Sequence, residues 1–270
     1  MLVDGMPSAQ VSASDRGLHY GDGLFETMRL HDGSVPLLDR HLARLQAGCN
    51  VLGLAWPGAE LLGRDVERLA LPGGEGIIKL MITRGDGGRG YAPQPDAGCR
   101  RVAGRYPLPA LPETGMQVGR CSTRLGRNAG LAGLKHLCRL EQVLGAAEVA
   151  SAGWDEGIMT DEDGRVIEAT RHNLFLVRDG RVRTPRLDGC GVAGVMRALV
   201  LEWCRRSHRH CSEDRVSWDE LVAADEIILT NAVRGLVPVT DLCGRPVAPG
   251  PVGAELREGL AREGVVWLGA

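Results

Sequence analysis

Lysine is almost missing from this sequence. Of 32 basic residues in a chain of 270, only Lys79 and Lys135 are lysine. An arginine guanidinium stays protonated at any ordinary pH, whereas a lysine amine can be desolvated, attack a carbonyl and carry a proton. A lysine in such a chain is either doing what arginine cannot or is a remnant of composition, and the count alone does not choose. Phe and Tyr are scarce too, at two and three residues, which leaves no aromatic stripe for stacking on bases. No C-x-x-C pair occurs among the cysteines at 49, 99, 121, 138, 190, 204, 211 and 243. They read as reduced, mostly buried thiols and not as a disulfide framework. His208, His210 and Cys211 follow a basic helix end (Arg205, Arg206, Arg209) without a partner pair at zinc spacing, so a solvated surface and no metal site is expected.

No apolar run approaches the length that spans a bilayer, and the first ten residues have neither a basic nor an apolar leader segment. A formal net charge of −2 leaves no electrostatic footprint for nucleic acid or an anionic membrane. The expectation is a soluble, cytoplasmic protein with neither as a partner. No G-x-G-x-x-G joins a strand to a helix and no P-loop occurs, so dinucleotides and nucleoside triphosphates have little support.

What is present is a chain long enough for one large domain or two modest ones. GLFETMRL at 23–30, HDG and SVPLL predict a hairpin. Asp39 sits at an expected N-cap for a helix over 40–52, which puts Arg40 and Arg44 one turn apart. A second helix is expected over 59–70, then a buried strand at 76–83 leading into RGDGGRGY, and a strand at 99–105. Three prolines in YPLPALPE mark 108–114 as a linker between a small domain, 1–107, and a larger one, 115–270. In the second domain the pattern predicts a strand at 115–123 and a helix over 135–150 with Leu137, Leu140, Leu144 and Ala147 on one face. It further predicts strands at 157–160 and 165–168, a hairpin at 173–184 around Asp179-Gly180, a helix over 194–207, a Ser217–Glu220 capping box and a buried strand at 226–230. Helices alternate with hairpins in both halves. That argues for an α/β fold with mixed, α+β-like sheets and against a doubly wound parallel one.

Three features would cooperate if Lys135 held a carbonyl cofactor. Glu168, in a run otherwise apolar or small, could keep a pyridine nitrogen protonated, although a strand-end acid is the plainer reading. In CGVAGVMR, Gly191 and Gly194 precede a helix whose free N–H groups at Val195 and Met196 could cradle a phosphate, although glycines often begin helices without a ligand. Arg44 offers a planar fork for an anion but is one arginine among many. Finally, Arg84 and Arg89 of RGDGGRGY could meet substrate carboxylates, or the loop could be a surface turn.

Taken together these residues resemble the fold-type IV pyridoxal 5′-phosphate (PLP) enzymes, which include branched-chain aminotransferases, D-amino acid transaminases and aminodeoxychorismate lyases. The resemblance rests on SDRGLHYGDGLFETMRL at 14–30, H-x-x-R-L at 41–45, TRGDGGRGY at 83–91, and RLGRN with LAGLKHLCRLEQ within 124–142. It continues through E-x-x-x-x-N-L-F at 168–175, TPRLDGCGVAGVMR at 184–197 and ADEIILTNAVRGLVPV at 224–239. The combination of GGRGY, LGRN, LAGLKHLCRLEQ and C-G-V-x-G-V-M-R looks most like the aminodeoxychorismate lyases.

The resemblance implies a two-domain fold with the PLP lysine in the larger, C-terminal domain. It also implies a homodimer and conversion of 4-amino-4-deoxychorismate to 4-aminobenzoate and pyruvate by PLP-dependent elimination. A transaminase on the same fold, or a PLP-binding homologue without catalysis, are the alternatives. Residue by residue, it implies that Lys135 is the cofactor lysine, Glu168 the pyridine-nitrogen carboxylate and Arg44 the phosphate arginine. Val195 and Met196 would form the phosphate cup, with Asn173, Thr230 and Asn231 as further cofactor contacts. Phe25, Thr27 and Arg29 fall in the region that lines the substrate pocket, Thr27 with a catalytic part, and Arg84 and Arg89 are further candidates for substrate. The chain departs from the pattern between Glu168 and Asn173, where small residues are usual and Arg171 and His172 stand instead.

Overall fold

A computed structural model describes the chain except for residues 72, 89, 95, 96, 111–114, 266 and 268–270. Its contacts divide it into two units, Met1–Pro109 with Leu134–Cys138, and Ala110–Gly133 with Arg139–Ala270. Lys135 thus groups with the first unit although the sequence placed it with the second. Most of the expected linker, 111–114, lies outside the described residues.

The first unit runs β1 (Leu2–Val3), β2 (Met6–Pro7), α1 (Arg16–Tyr20), β3 (Gly23–Leu30), α2 (Leu38–Leu52), α3 (Ala59–Ala70), β4 (Gly76–Thr83) and β5 (Arg100–Tyr106). Its antiparallel sheet has the order β2-β1-β5-β4-β3. In β4, Gly76, Ile78, Leu80 and Ile82 are buried while Ile77, Lys79 and Met81 are half-buried, the period of two expected when one face is packed. That packed face meets Leu42, Leu45 and Cys49 of α2 and Leu62, Val66 and Ala70 of α3, spaced to lie on one side of each helix.

Two local expectations change here. β3 pairs along its whole length with β4, whereas residues 31 and 34 form only an isolated bridge. The apolar face of GIIKLMIT out-competes the short SVPLL segment as a partner. Asp39 falls in the first turn of α2, whose N-cap is Leu37, where its charge still suits the helix dipole.

The second unit runs β6 (Met116–Leu125), α4 (Leu140–Ala152), β7 (Glu156–Asp161), β8 (Val166–Ala169), β9 (Asn173–Arg178), β10 (Arg181–Pro185) and α5 (Val195–Arg206). It continues with β11 (Cys211–Asp214), α6 (Trp218–Val222), β12 (Glu226–Asn231), β13 (Gly235–Leu242), β14 (Arg245–Pro246) and α7 (Pro251–Arg262). The larger sheet, β11-β10-β9-β12-β13-β6-β7-β8, mixes parallel pairs (β10–β11, β13–β6, β6–β7) with antiparallel ones. It curls, so that β8 also approaches β9 and β10. The mixed α/β architecture is therefore as expected, including the β9–β10 hairpin and the Ser217–Glu220 capping box.

The helix expected from 135 begins only at Leu140, because the backbone of 135–137 bonds to residues 23–25 instead. Leu140 and Leu144 are exposed on α4, and its inward residues are Gly145 and Val149.

Candidate active site

In the first unit Lys135 sits on a short segment added to the free edge of β3. Phe25 N–H donates to the Lys135 carbonyl at 3.0 Å, Leu137 N–H donates to Gly23 O at 3.0 Å, and Leu24 bridges to His136. An edge strand has unpaired backbone groups to offer, and here they fix the reactive candidate's main chain. The Lys135 ammonium lies 4.3 Å from the centroid of the Phe25 ring.

Glu26, the next residue on β3, points to the opposite face. It is 1% exposed and binds two residues of α2: His41 Nδ1 at 2.6 Å and Arg44, whose Nε donates at 2.8 Å and whose Nη2 makes a second bond. Burial alone would raise the Glu26 pKa, but Arg44 and His41 outweigh it and hold the carboxyl at about 2. His41 is pushed below its ordinary value, chiefly by burial and with help from the Arg44 and Lys135 charges. Arg44 therefore stands on a buried carboxylate, near Lys135. Glu26 and His41 were missed in the sequence, although H-x-x-R at helical spacing was a signal that His41 and Arg44 share a face.

The arginines proposed for substrate are placed as follows. Arg84 is 9% exposed, and its guanidinium binds both Asp22 carboxylate oxygens and the carbonyls of Leu52 and Gly53. Arg29 pairs with Glu75 at 2.5 Å. Arg89 lies outside the described residues. The glycine-rich loop is clasped by the S-D-R-G segment: Ser14 bonds Asp86, Asp15 accepts from Thr83, and Arg16 donates to the carbonyls of Gly90 and Tyr91. Thr27 and Phe25 lie on the sheet face away from α2 and α3, with Thr27 directly opposite Lys79.

In the second unit Glu168, on β8, is 4% exposed. Its Oε2 accepts from Val192 N–H at 2.8 Å and lies 3.5 Å from Asn173 Nδ2. Asn173 clamps the same loop, donating to Val192 O at 2.8 Å and accepting from Gly194 N–H at 3.1 Å. Gly133, two residues before Lys135 in the chain, is bound there as well, donating to Gly191 O and accepting from Ala193 N–H. Directly after Gly194 begins α5. Its N-cap has no side-chain hydrogen bond, so the first-turn N–H groups of Val195 and Met196 point out of the helix without an intrahelical acceptor. A buried carboxylate next to an uncapped helix N-terminus suits a ligand with a basic ring nitrogen at one end and a phosphate at the other. The residues present fit pyridoxal 5′-phosphate.

Thr230 and Asn231 are engaged locally. The Thr230 hydroxyl donates to Gly235 O at 2.8 Å, while Asn231 accepts from Val233 and Arg234 N–H and donates to Arg171 O at 3.2 Å. The unusual pair between Glu168 and Asn173 divides. Arg171 has an exposed side chain, but His172 is 3% exposed, with Nδ1 2.5 Å from Glu156. Glu156 also accepts from the Thr170 hydroxyl and from its own neighbour, Gly157 N–H, so one buried carboxylate anchors this turn.

The sequence model of the amino-transferase class IV family matches residues 23–242. The chain belongs to the class IV aminotransferase family. Among class IV relatives, an aminodeoxychorismate lyase of Vibrio harveyi is 35% identical over 244 residues, covering 89% of this chain and 90% of that one. A crystal structure of 4-amino-4-deoxychorismate lyase from Pseudomonas aeruginosa is 43% identical, with a TM-score of 0.92 and coverage of 98% and 99%. A branched-chain amino acid aminotransferase of T.th., solved with pyridoxamine 5′-phosphate, is 25% identical with a TM-score of 0.82, covering 94% of this chain and 89% of that one. This class IV fold thus extends over nearly the whole chain, with the lyases more similar than that transaminase.

Proposed function

We propose that this chain is a PLP-dependent carbon–oxygen lyase that converts 4-amino-4-deoxychorismate to 4-aminobenzoate and pyruvate. The observation that carries the reading is the end-to-end likeness to the P. aeruginosa lyase, together with the presence of Lys135, Glu168 and the open N-terminus of α5.

When bound, pyridoxal 5′-phosphate supplies an aldehyde for amine linkage and a ring that accepts electron density. Lys135 would hold the cofactor through its aldehyde, as the resemblance implies. The Lys135 amine would be the base for the proton on the amine-bearing ring carbon. Glu168, fixed by Val192 N–H and Asn173, keeps the pyridine nitrogen protonated. The resemblance assigns the phosphate to the Val195 and Met196 N–H groups and to Arg44, with Thr230 and Asn231 as further cofactor contacts. Phe25, Thr27 and Arg29 form the substrate side. Departure of the enolpyruvyl group as pyruvate leaves an aromatic ring, which supplies the thermodynamic pull, so the protein's part is orientation and proton transfer.

The family resemblance supports a homodimer. So do Leu140, Val143 and Leu144 of α4, exposed at 78%, 60% and 57%, an apolar surface suited to burial against a second copy. A cytoplasmic location belongs to the same reading and rests on the family resemblance. Among the described residues no helix is long and apolar enough to cross a membrane.

The test is product analysis. Purified protein with PLP and aminodeoxychorismate is expected to release pyruvate and 4-aminobenzoate in equal amounts without an amino acceptor, and Lys135→Ala to release neither. Turnover that requires a keto acid would replace the lyase reading with a transaminase.

A further inference from the structure

We propose that Glu156 is a positioning residue for the cofactor site: it holds the turn between Glu168 and Asn173 and so sets where both side chains meet the loop at 191–194. This rests on the reading of Glu168 as the partner of the pyridine nitrogen.

Glu156 opens β7 and is fully buried. Across the β7–β8 ladder Glu168 pairs with Met159 and Ala169 with Ile158. Side chains alternate along a strand, so Glu156 faces the side of Ile158 and Glu168 the side of Met159. Glu156 therefore works from behind the carboxylate proposed to meet the ring. Only Ala169, Thr170, Arg171 and His172 separate Glu168 from Asn173. Their backbone closes the turn, with Ala169 N–H donating to His172 O at 2.7 Å and Thr170 N–H to Gly157 O at 3.0 Å.

Three consecutive side chains of that turn converge on the one carboxylate. Thr170 Oγ1 donates to Oε1, His172 Nδ1 lies 2.5 Å from Oε2, and Arg171 Nε lies 3.3 Å from Oε2. Gly157 N–H donates to Oε1 at 3.0 Å. Burial would raise the Glu156 carboxyl, but the hydrogen bond and charge of His172, with the bonds from Thr170 and Gly157, outweigh it and hold the group below its ordinary value. Glu156 is thus the acceptor and His172 Nδ1 the donor. The His172 Nε2 is buried without a partner, so among the described residues Glu156 is the one polar anchor of that ring. At one end of the turn Glu168 accepts from Val192 N–H, and at the other Asn173 clamps Val192 and Gly194. A shift of the turn moves both contacts at once. Loss of the Glu156 charge forces such a shift, because it leaves buried polar groups of the turn short of an acceptor.

The experiment compares Glu156→Gln and Glu156→Ala with Glu168→Gln and with the Glu156→Gln, Glu168→Gln double variant, all loaded with PLP. One readout needs no substrate: the visible absorption band of bound PLP, which responds to protonation of its ring. The other is steady-state kinetics with aminodeoxychorismate. Glu156→Gln is expected to move the band in the same direction as Glu168→Gln and to lower kcat about 10- to 100-fold with little change in KM, as when a catalytic geometry is displaced from a distance. Glu156→Ala should go further. In the Glu168→Gln background the Glu156→Gln change should cost less than about threefold, because two residues acting through one contact are not additive. A merely structural role would lower the thermal midpoint and leave the band and kcat of the folded protein unchanged. That result overturns the proposal, as does full multiplication of the two effects in the double variant. Should both Glu156 variants unfold, Thr170→Val, which removes a single bond to the carboxylate, decides, and an unmoved band with unchanged kcat is the overturning result. Glu168→Gln indistinguishable from the wild type would overturn the reading of Glu168 and this proposal with it, whereas an altered Glu168→Gln beside an unaltered Glu156→Gln overturns this proposal alone. Absence of pyruvate from the wild type would overturn the lyase reading and leave the absorption band to decide the role of Glu156.

Discussion

Asn173 accepts a hydrogen bond from Gly194 N–H at 3.1 Å, and a Cβ built on Gly194 would lie 2.1 Å from the same Asn173 oxygen. The loop that leads into α5 can approach Asn173 this closely only because residue 194 has no side chain. Gly194→Ala is expected to push Asn173 off Val192 and Gly194, costing about 1–3 kcal/mol of stability. PLP affinity should fall about tenfold or more, because the N–H groups proposed to receive the phosphate move with the loop. Fluorescence titration of PLP into the apo-variant checks this.

Glu168 and Arg84 separate chemistry from scaffolding. Glu168→Gln keeps the shape and loses the charge, so PLP should still bind while kcat drops by roughly 10²- to 10³-fold, as when an electrostatic partner is removed from a reacting centre. Arg84→Met should behave in the opposite way. Leaving Asp22 with one partner fewer is expected to cost about 3–5 kcal/mol, the range for breaking a buried pair, with little change in KM. Urea denaturation and steady-state kinetics on both variants distinguish the two roles.

The Glu26–His41–Arg44 cluster should be sensitive to loss of its acid. Glu26→Ala removes the common partner of buried His41 and half-buried Arg44, and a destabilisation of about 3–5 kcal/mol follows. Arg44 would lose its orientation, so PLP retention on gel filtration should fall as well. Since Glu26 is held at about 2 in the fold, its contribution is fully present above the ordinary carboxylate range and disappears as pH falls towards 2.

His41 and His172 act at milder pH. Both are buried and pushed below their ordinary value by that burial. Below about pH 6.5 the unfolded chain binds protons that these two imidazoles refuse, so stability should fall as pH drops through that value, by up to about 1.4 kcal/mol per unit for each. Chemical denaturation at pH 5 and pH 7 measures the slope. Replacing His172 by Gln should reduce it, and NMR should show both rings taking up a proton at a lower pH than an ordinary imidazole.

The residues proposed to carry the chemistry stand close to their neighbours along the chain. Lys135, Glu168, Asn173 and the Gly-led start of α5 lie in contiguous motifs, because backbone turns and helix starts are local and leave a local record. The mixed α/β class was legible for the same reason, through the periods of two in β4 and of three to four in α2 and α3. Partnerships across the fold were not. Nothing in RGDGGRGY distinguishes an arginine facing solvent from Arg84 locked on Asp22, and nothing near residue 135 tells a helix from a strand added to the edge of β3. Those outcomes depend on which distant edge or carboxylate a segment meets, a matter of burial and hydrogen-bond satisfaction in three dimensions. The scarcity of lysine was visible from the start. That both lysines address Phe25 was decided by the register of β3 against β4.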